Sequence, residues 1–124
     1  MTDRELLELA AAAAGFGDPQ TGHICWTESE YPPKSGKQGA LWNYVGHMDT
    51  AELWNPLTDD GDALRLAVKL SLMLDKITQG YMAGHWVATH TNIESCYELA
   101  IPDPYAATRR AIVRAASEIG RNMK

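Results

Sequence analysis

The side chains of the types that bind zinc or do thiol chemistry include His23, Cys25, His85, His90 and Cys96. Zinc sites are usually announced by short pairs such as CxxC or HxxxH, because a tetrahedral ion needs ligands that one turn or helix face can converge. These five follow no such spacing. A thiol hydrolase needs a thiolate beside a histidine. Cys25 with His90, or Cys96 with His85, supplies the types without a local motif, and buried thiols with ordinary strand histidines are the plainer reading. The sequence contains no Gly-rich phosphate loop, no GxSxG and no HExxH.

Three further groups could carry binding. Asp59, Asp60 and Asp62 offer oxygen ligands, but a calcium loop alternates its ligands over about twelve residues and closes on a bidentate Glu. Gly61 breaks the run and no such Glu follows, so helix capping accounts for these aspartates. Arg109, Arg110 and Arg114 could grip a phosphate or an acidic protein surface. Their competing role is a solvated helix face, with Arg114 and Glu118 at i,i+4 spacing for a pair. Trp26, Trp42, Trp54 and Trp86 could stack on an aromatic ligand. Most would pack in a core, and the loop-edge residues Trp26 and Trp54 are the candidates for contact. A pocket with an aromatic wall and a cationic rim would form if the loop 27–39, flanked by Trp26 and Trp42, meets Arg109, Arg110 and Arg114. It would suit a small phosphorylated ligand.

Positioning these groups requires a scaffold that the sequence announces in pieces. Thr2 and Glu5 have capping-box spacing before a helix through Ala14, with Leu6, Leu9, Ala10 and Ala13 as its stripe. Gly15, Gly17 and Asp18-Pro19 end it. His23–Thr27 reads as a short strand, 27–39 as a long polar loop, and Leu41–Gly46 as a strand. In Trp54-Asn-Pro-Leu-Thr-Asp-Asp-Gly-Asp-Ala-Leu-Arg-Leu-Ala-Val-Lys-Leu70, Pro56 forces Asn55 extended, the aspartates open a helix, and Ala63, Leu66, Ala67 and Leu70 form its apolar face, widened by Leu64 and Val68. With no Gly or Pro before Gly80, that helix is expected to run to about residue 77. Residues 81–84 turn, and His85–Thr91 and Ser95–Ile101 read as a hairpin. Asp103 caps a last helix with Pro104 at N1. Its inward stripe is Ile112, Ala115, Ala116 and Ile119, and Gly120 marks its fraying end.

The totals limit the function classes. The 124 residues make one domain, 1–124, and a net charge of −5 opposes general affinity for a phosphate backbone. No apolar run reaches the roughly 18–20 residues of a membrane span. The N-terminus lacks a basic n-region, so the expectation is a cytoplasmic protein with free thiols rather than a disulfide.

Three blocks carry a resemblance: Arg4-Glu-Leu-Leu-Glu-Leu-Ala-Ala11, the Trp54–Leu70 stretch, and Asp103-Pro-Tyr-Ala-Ala-Thr-Arg-Arg-Ala-Ile-Val-Arg-Ala-Ala-Ser-Glu-Ile-Gly120. Together they resemble a group of small bacteriophage proteins with an α/β sandwich domain. The resemblance implies a phage origin and a life in the bacterial host's cytoplasm. It also implies an α/β sandwich of three helices on a mainly antiparallel sheet, and it supplies no catalytic residues. The leading expectation is a non-enzymatic phage accessory protein that acts by binding a host protein or a small signalling nucleotide, as counter-defence proteins do. No cofactor, membrane or extended nucleic acid is expected, and self-association stays open. The alternatives are a small metal- or thiol-dependent enzyme using the His/Cys set, and an assembly or nucleic-acid accessory protein using the arginines.

Overall fold

The computed structural model describes residues 2–16, 41–43 and 52–123. The expected strand at His23–Thr27, the loop 27–39 and the far half of the strand expected at Leu41–Gly46 lie outside them. The elements run α1 (Asp3–Ala14), β1 (Leu41–Asn43), β2 (Glu52–Trp54), α2 (Asp60–Lys69), β3 (Met73–Lys76), β4 (His85–Thr89), β5 (Cys96–Leu99) and α3 (Pro104–Asn122). The fold is mixed α/β. Strands β3, β4 and β5 form an antiparallel sheet in that order, and β1 pairs with β2 in a separate two-stranded ribbon.

Local chemistry sets the helix starts as the sequence predicts. Thr2 and Glu5 close a reciprocal capping box on α1. Asp59 accepts the Asp62 N–H at 2.8 Å to cap α2, and Asp103 accepts the Tyr105 N–H at 2.9 Å to cap α3. The hairpin of β4 and β5 is also present, in a register that sets Ala88 opposite Cys96 and Trp86 opposite Glu98.

The end of α2 differs from expectation. The helix stops at Lys69, and residues 73–76 are an edge strand rather than helix. The stop is a Schellman motif: Leu72 N–H bonds Ala67 O at 2.9 Å, Ser71 N–H bonds Val68 O at 3.2 Å, and Ser71 takes φ 57°. α1 ends in the same motif, with Gly15 at φ 78° and Phe16 N–H on Ala11 O at 2.9 Å. The α2 terminator is hard to see in the sequence because a serine stands where glycine usually does.

The core lies where α3 packs on α1 and α2. Leu6, Leu7, Ala10, Ala11 and Ala14 of α1 meet Ile112, Val113 and Ala116 of α3, joined by Ala63, Leu66 and Ala67 of α2. The buried stripe of α1 therefore includes Leu7, Ala11 and Ala14, while Leu9 and Ala13 are only half-buried. Leu66 is 2% exposed and Leu70 packs on the same cluster, as expected. Leu64 and Val68 do not widen the buried face; they are 60% and 70% exposed. Another flank of α3 covers the sheet, with Ala111 and Ala115 against Ala88 and Cys96.

Gly120 is not a fraying end. α3 continues to Asn122, and Gly120 is buried with its α-carbon pressed against α1. A Cβ at this position would stand 2.0 Å from the Leu9 carbonyl oxygen. Among the described residues no helix is long and apolar enough to cross a membrane.

Two substitutions test these assignments in opposite directions. Gly120→Ala drives a methyl into the α1 backbone and should destabilise by at least about 1–3 kcal/mol in a denaturant melt. Ser71→Gly relieves a side chain held at positive φ and should stabilise by up to about 1 kcal/mol. An unchanged midpoint for Gly120→Ala would show that the helices are further apart than described.

Candidate functional site

The segment from Asn55 to Asp62 is built almost wholly from hydrogen bonds to itself. Pro56, fully buried, keeps Asn55 extended. The Asn55 side-chain oxygen accepts the Leu57 N–H at 3.1 Å, and its carbonyl accepts the Thr58 and Asp59 N–H groups at 3.1 and 2.9 Å. Asp62 reaches back to accept the Asn55 N–H at 3.0 Å and pairs with Arg65 at 2.7 Å. From α3, Arg109 donates through Nε to the Leu57 carbonyl at 2.9 Å and through Nη1 to Asp60 at 2.6 Å. Each aspartate thus has a structural partner. Among the described residues no group of three or more His, Cys, Asp or Glu could hold a metal ion.

Asp60 and Arg109 of this clasp, with α2 and α3, form one wall of a cleft of about 540 Å³. The opposite wall is the sheet. Lys76 and Trp86 are direct cross-strand partners, and Leu74 pairs with Ala88. The two-residue period of a strand puts all four on the face that α3 covers. Ala63 and Leu64 of α2 line the cleft with Tyr105, Thr108 and Ile112 of α3. Around the opening, large apolar side chains stay in solvent: Leu64, Leu74 and Tyr105, the last 68% exposed. The Trp86 indole N–H is buried and has no hydrogen-bond partner among the described residues. Leaving such a donor unpaired costs about 1–3 kcal/mol.

The residues expected to bind divide four ways. Arg109 lines the cleft, where an aromatic wall and a cationic rim do occur together. Among the described residues the aromatic side chains of that wall are Trp86 and Tyr105, and Trp54 is not one of them. Trp54 is 5% exposed in the core, edge-on to Phe16 with ring centroids 5.0 Å apart. Trp26 lies outside the described residues, and of the Trp42 side chain nothing is described. Arg110 and Arg114 are not a solvated face. Arg110 pairs with Asp3 of α1 at 2.9 Å, while Arg114 bonds the Glu98 carboxylate and the Tyr97 carbonyl of β5. Glu118 pairs with Arg121 at 3.5 Å, rather than making the expected contact with Arg114. Trp86 is one of the four tryptophans able to stack but not one that the sequence places at a loop edge, and nothing local links it to Lys76 and Tyr105, which the sequence does not single out. Only the β3–β4 register and the start of α3 bring them together.

A second hollow, about 440 Å³ and mainly polar, lies between the β4–β5 turn and the end of α3, with Cys96, Arg114 and Glu118 in its lining. Cys96 does not meet His85. Cys96 is opposite Ala88 while His85 is opposite Leu99. The offset of three residues sends the two side chains to opposite faces of the sheet. His85 Nδ1 lies 2.8 Å from the Met82 carbonyl, and His90 Nδ1 accepts the Asn92 N–H at 3.2 Å. His23 and Cys25 fall outside the described residues. Burial pushes the Cys96 thiol above its usual range, against the opposing pull of Arg114. That is the reverse of what a nucleophilic thiolate requires.

No family model matches the sequence, and no curated protein and no solved structure matches it.

The raised thiol fixes a pH dependence. Below the ordinary thiol value of 9.0 both folded and unfolded chains keep Cys96 protonated, and stability is unaffected. As pH rises past that value the unfolded chain ionises first, so stability falls until the folded thiol also ionises. Stability measured across this alkaline range should decline more steeply for the wild-type protein than for Cys96→Ala. Parallel curves would show that the fold does not perturb the thiol.

Proposed function

We propose that the protein is a bacteriophage accessory protein that works by binding, without catalysis, in the cytoplasm of the bacterial host. The phage assignment is supported by the resemblance of the Trp54–Leu70 and Asp103–Gly120 blocks, which now prove to be the two segments that build the clasp and its helix. The finer architecture proposed with it is an α/β sandwich. The observation that carries the binding reading is the cleft between α2, α3 and the sheet, whose volume falls within the roughly 300–1,000 Å³ of small-molecule sites. Its mostly apolar walls and few polar groups suit recognition. A host signalling nucleotide or a host protein is the proposed target, in a counter-defence role.

The enzyme alternative draws little from this site. The thiol of Cys96 is in a separate hollow, and the Asp60 carboxylate in the cleft is engaged by Arg109.

The test is native purification from infected cells, followed by mass spectrometry of what the denatured protein releases. A host molecule should elute near one-to-one and chemically unchanged. Protein that elutes empty under conditions retaining complexes of about 1 μM affinity, a binding free energy near −8 kcal/mol, would refute the reading.

A further inference from the structure

Building on that binding reading, we infer that the cleft takes a small amphipathic anion: an aromatic body carrying one negatively charged group. Three observations converge on this class. The walls are apolar and partly aromatic, with Trp86 at the sheet and Tyr105 at the mouth. Such surfaces accept a flat ring by stacking and dispersion. Leu64 and Leu74 add aliphatic area on the same opening, and both stay exposed at a cost that packing within the chain does not repay.

The second observation is charge. Among the described residues two cations and one anion line the cleft: Lys76, Arg109 and Asp60. Arg109 is committed to Asp60 and to the Leu57 carbonyl. Lys76 makes no ion pair among the described residues, although its stem stands beside Trp86 across the strand pair. One uncompensated ammonium next to an aromatic wall matches one anionic group on an aromatic ligand. A polyphosphate would instead face Asp60 and the field of a chain whose net charge is −5. The third observation is the Trp86 indole N–H, a donor still lacking an acceptor among the described residues. A ligand carbonyl or ring nitrogen that reaches Trp86 Nε1 would provide one.

The indole N–H is also the reporter. Its resonance in a ¹⁵N–¹H spectrum is assigned by its loss in Trp86→Phe. AMP and 1-anilinonaphthalene-8-sulfonate, two aromatic anions of different acid type, should each shift it saturably, and adenosine should bind more weakly than AMP. Lys76→Ala should weaken both anions about tenfold while the rest of the spectrum stays dispersed, and Leu64→Trp, which fills the mouth, should block them. An indole resonance that does not move at millimolar probe overturns the inference, as does Lys76→Ala binding as tightly as the wild type. If the probes fail while native purification still yields a host protein, the binding reading stands and this ligand class falls. If both experiments come back empty, both fall.

Discussion

The structure depends on the near-contact of two helix backbones. α1 and α3 approach until Gly120 lies against the Leu9 carbonyl, with no room for a single methyl. Small residues make this approach possible: Ala10, Ala11 and Ala14 on one side, Ala116 and Gly120 on the other, each buried. Close approach replaces large side chains as the source of packing density, because dispersion falls off steeply with any gap. It also fixes α3 as the element on which everything else is mounted. Ser117, buried on the same helix, disposes of its hydroxyl by bonding the Arg114 carbonyl at 2.7 Å, so that hydroxyl is not stranded.

Mounted this way, α3 ties down the other elements with its arginines. Arg110 holds Asp3 at the start of α1, Arg109 holds the turn before α2, and Arg114 holds the edge strand β5. These pairs join residues up to 107 positions apart. Exposed ion pairs add little stability singly. Their effect here is on geometry: each guanidinium specifies which residue of a neighbouring element stands at which turn of α3. Arg109 matters most for the cleft, because its bond to a backbone carbonyl fixes the loop itself and not merely another mobile side chain.

What the sequence revealed and what it concealed follow the same physical division. The capping box, Asp59, Asp103 and the β4–β5 hairpin are governed by neighbours within a few residues, and all were legible. The Schellman stop at Ser71 is equally local, yet its usual marker is glycine, and the apolar run beyond it matched a helix as well as a strand. Gly120 read as a helix end because its reason is tertiary: only the backbone of α1, more than a hundred residues earlier, makes a side chain impossible there. The arginines looked like a free surface for the same reason. Of the candidate site, Arg109 was legible as a cation on a helix. Lys76 was not, and Trp86 was legible only as one of four tryptophans able to stack, since a one-residue change of register would send either to the other face of the sheet.

The cleft itself is a consequence of how α2 ends. Had the helix run on to residue 77, Leu74 and Lys76 would lie on its flank. The turn at Ser71 sends them into β3, where the pairing with β4 brings Lys76 beside Trp86. α2 is then too short to cover the sheet, and its Leu64 faces open space across from Leu74 instead of a packed neighbour. The strain of one serine at positive φ is thus the local condition for a hollow lined by two helices and two strands. Strain retained at a site borders on function more often than on folding alone. Here it opens an apolar cleft whose lining includes Trp86, with its buried and unpartnered indole donor, and its cross-strand partner Lys76, which makes no ion pair among the described residues.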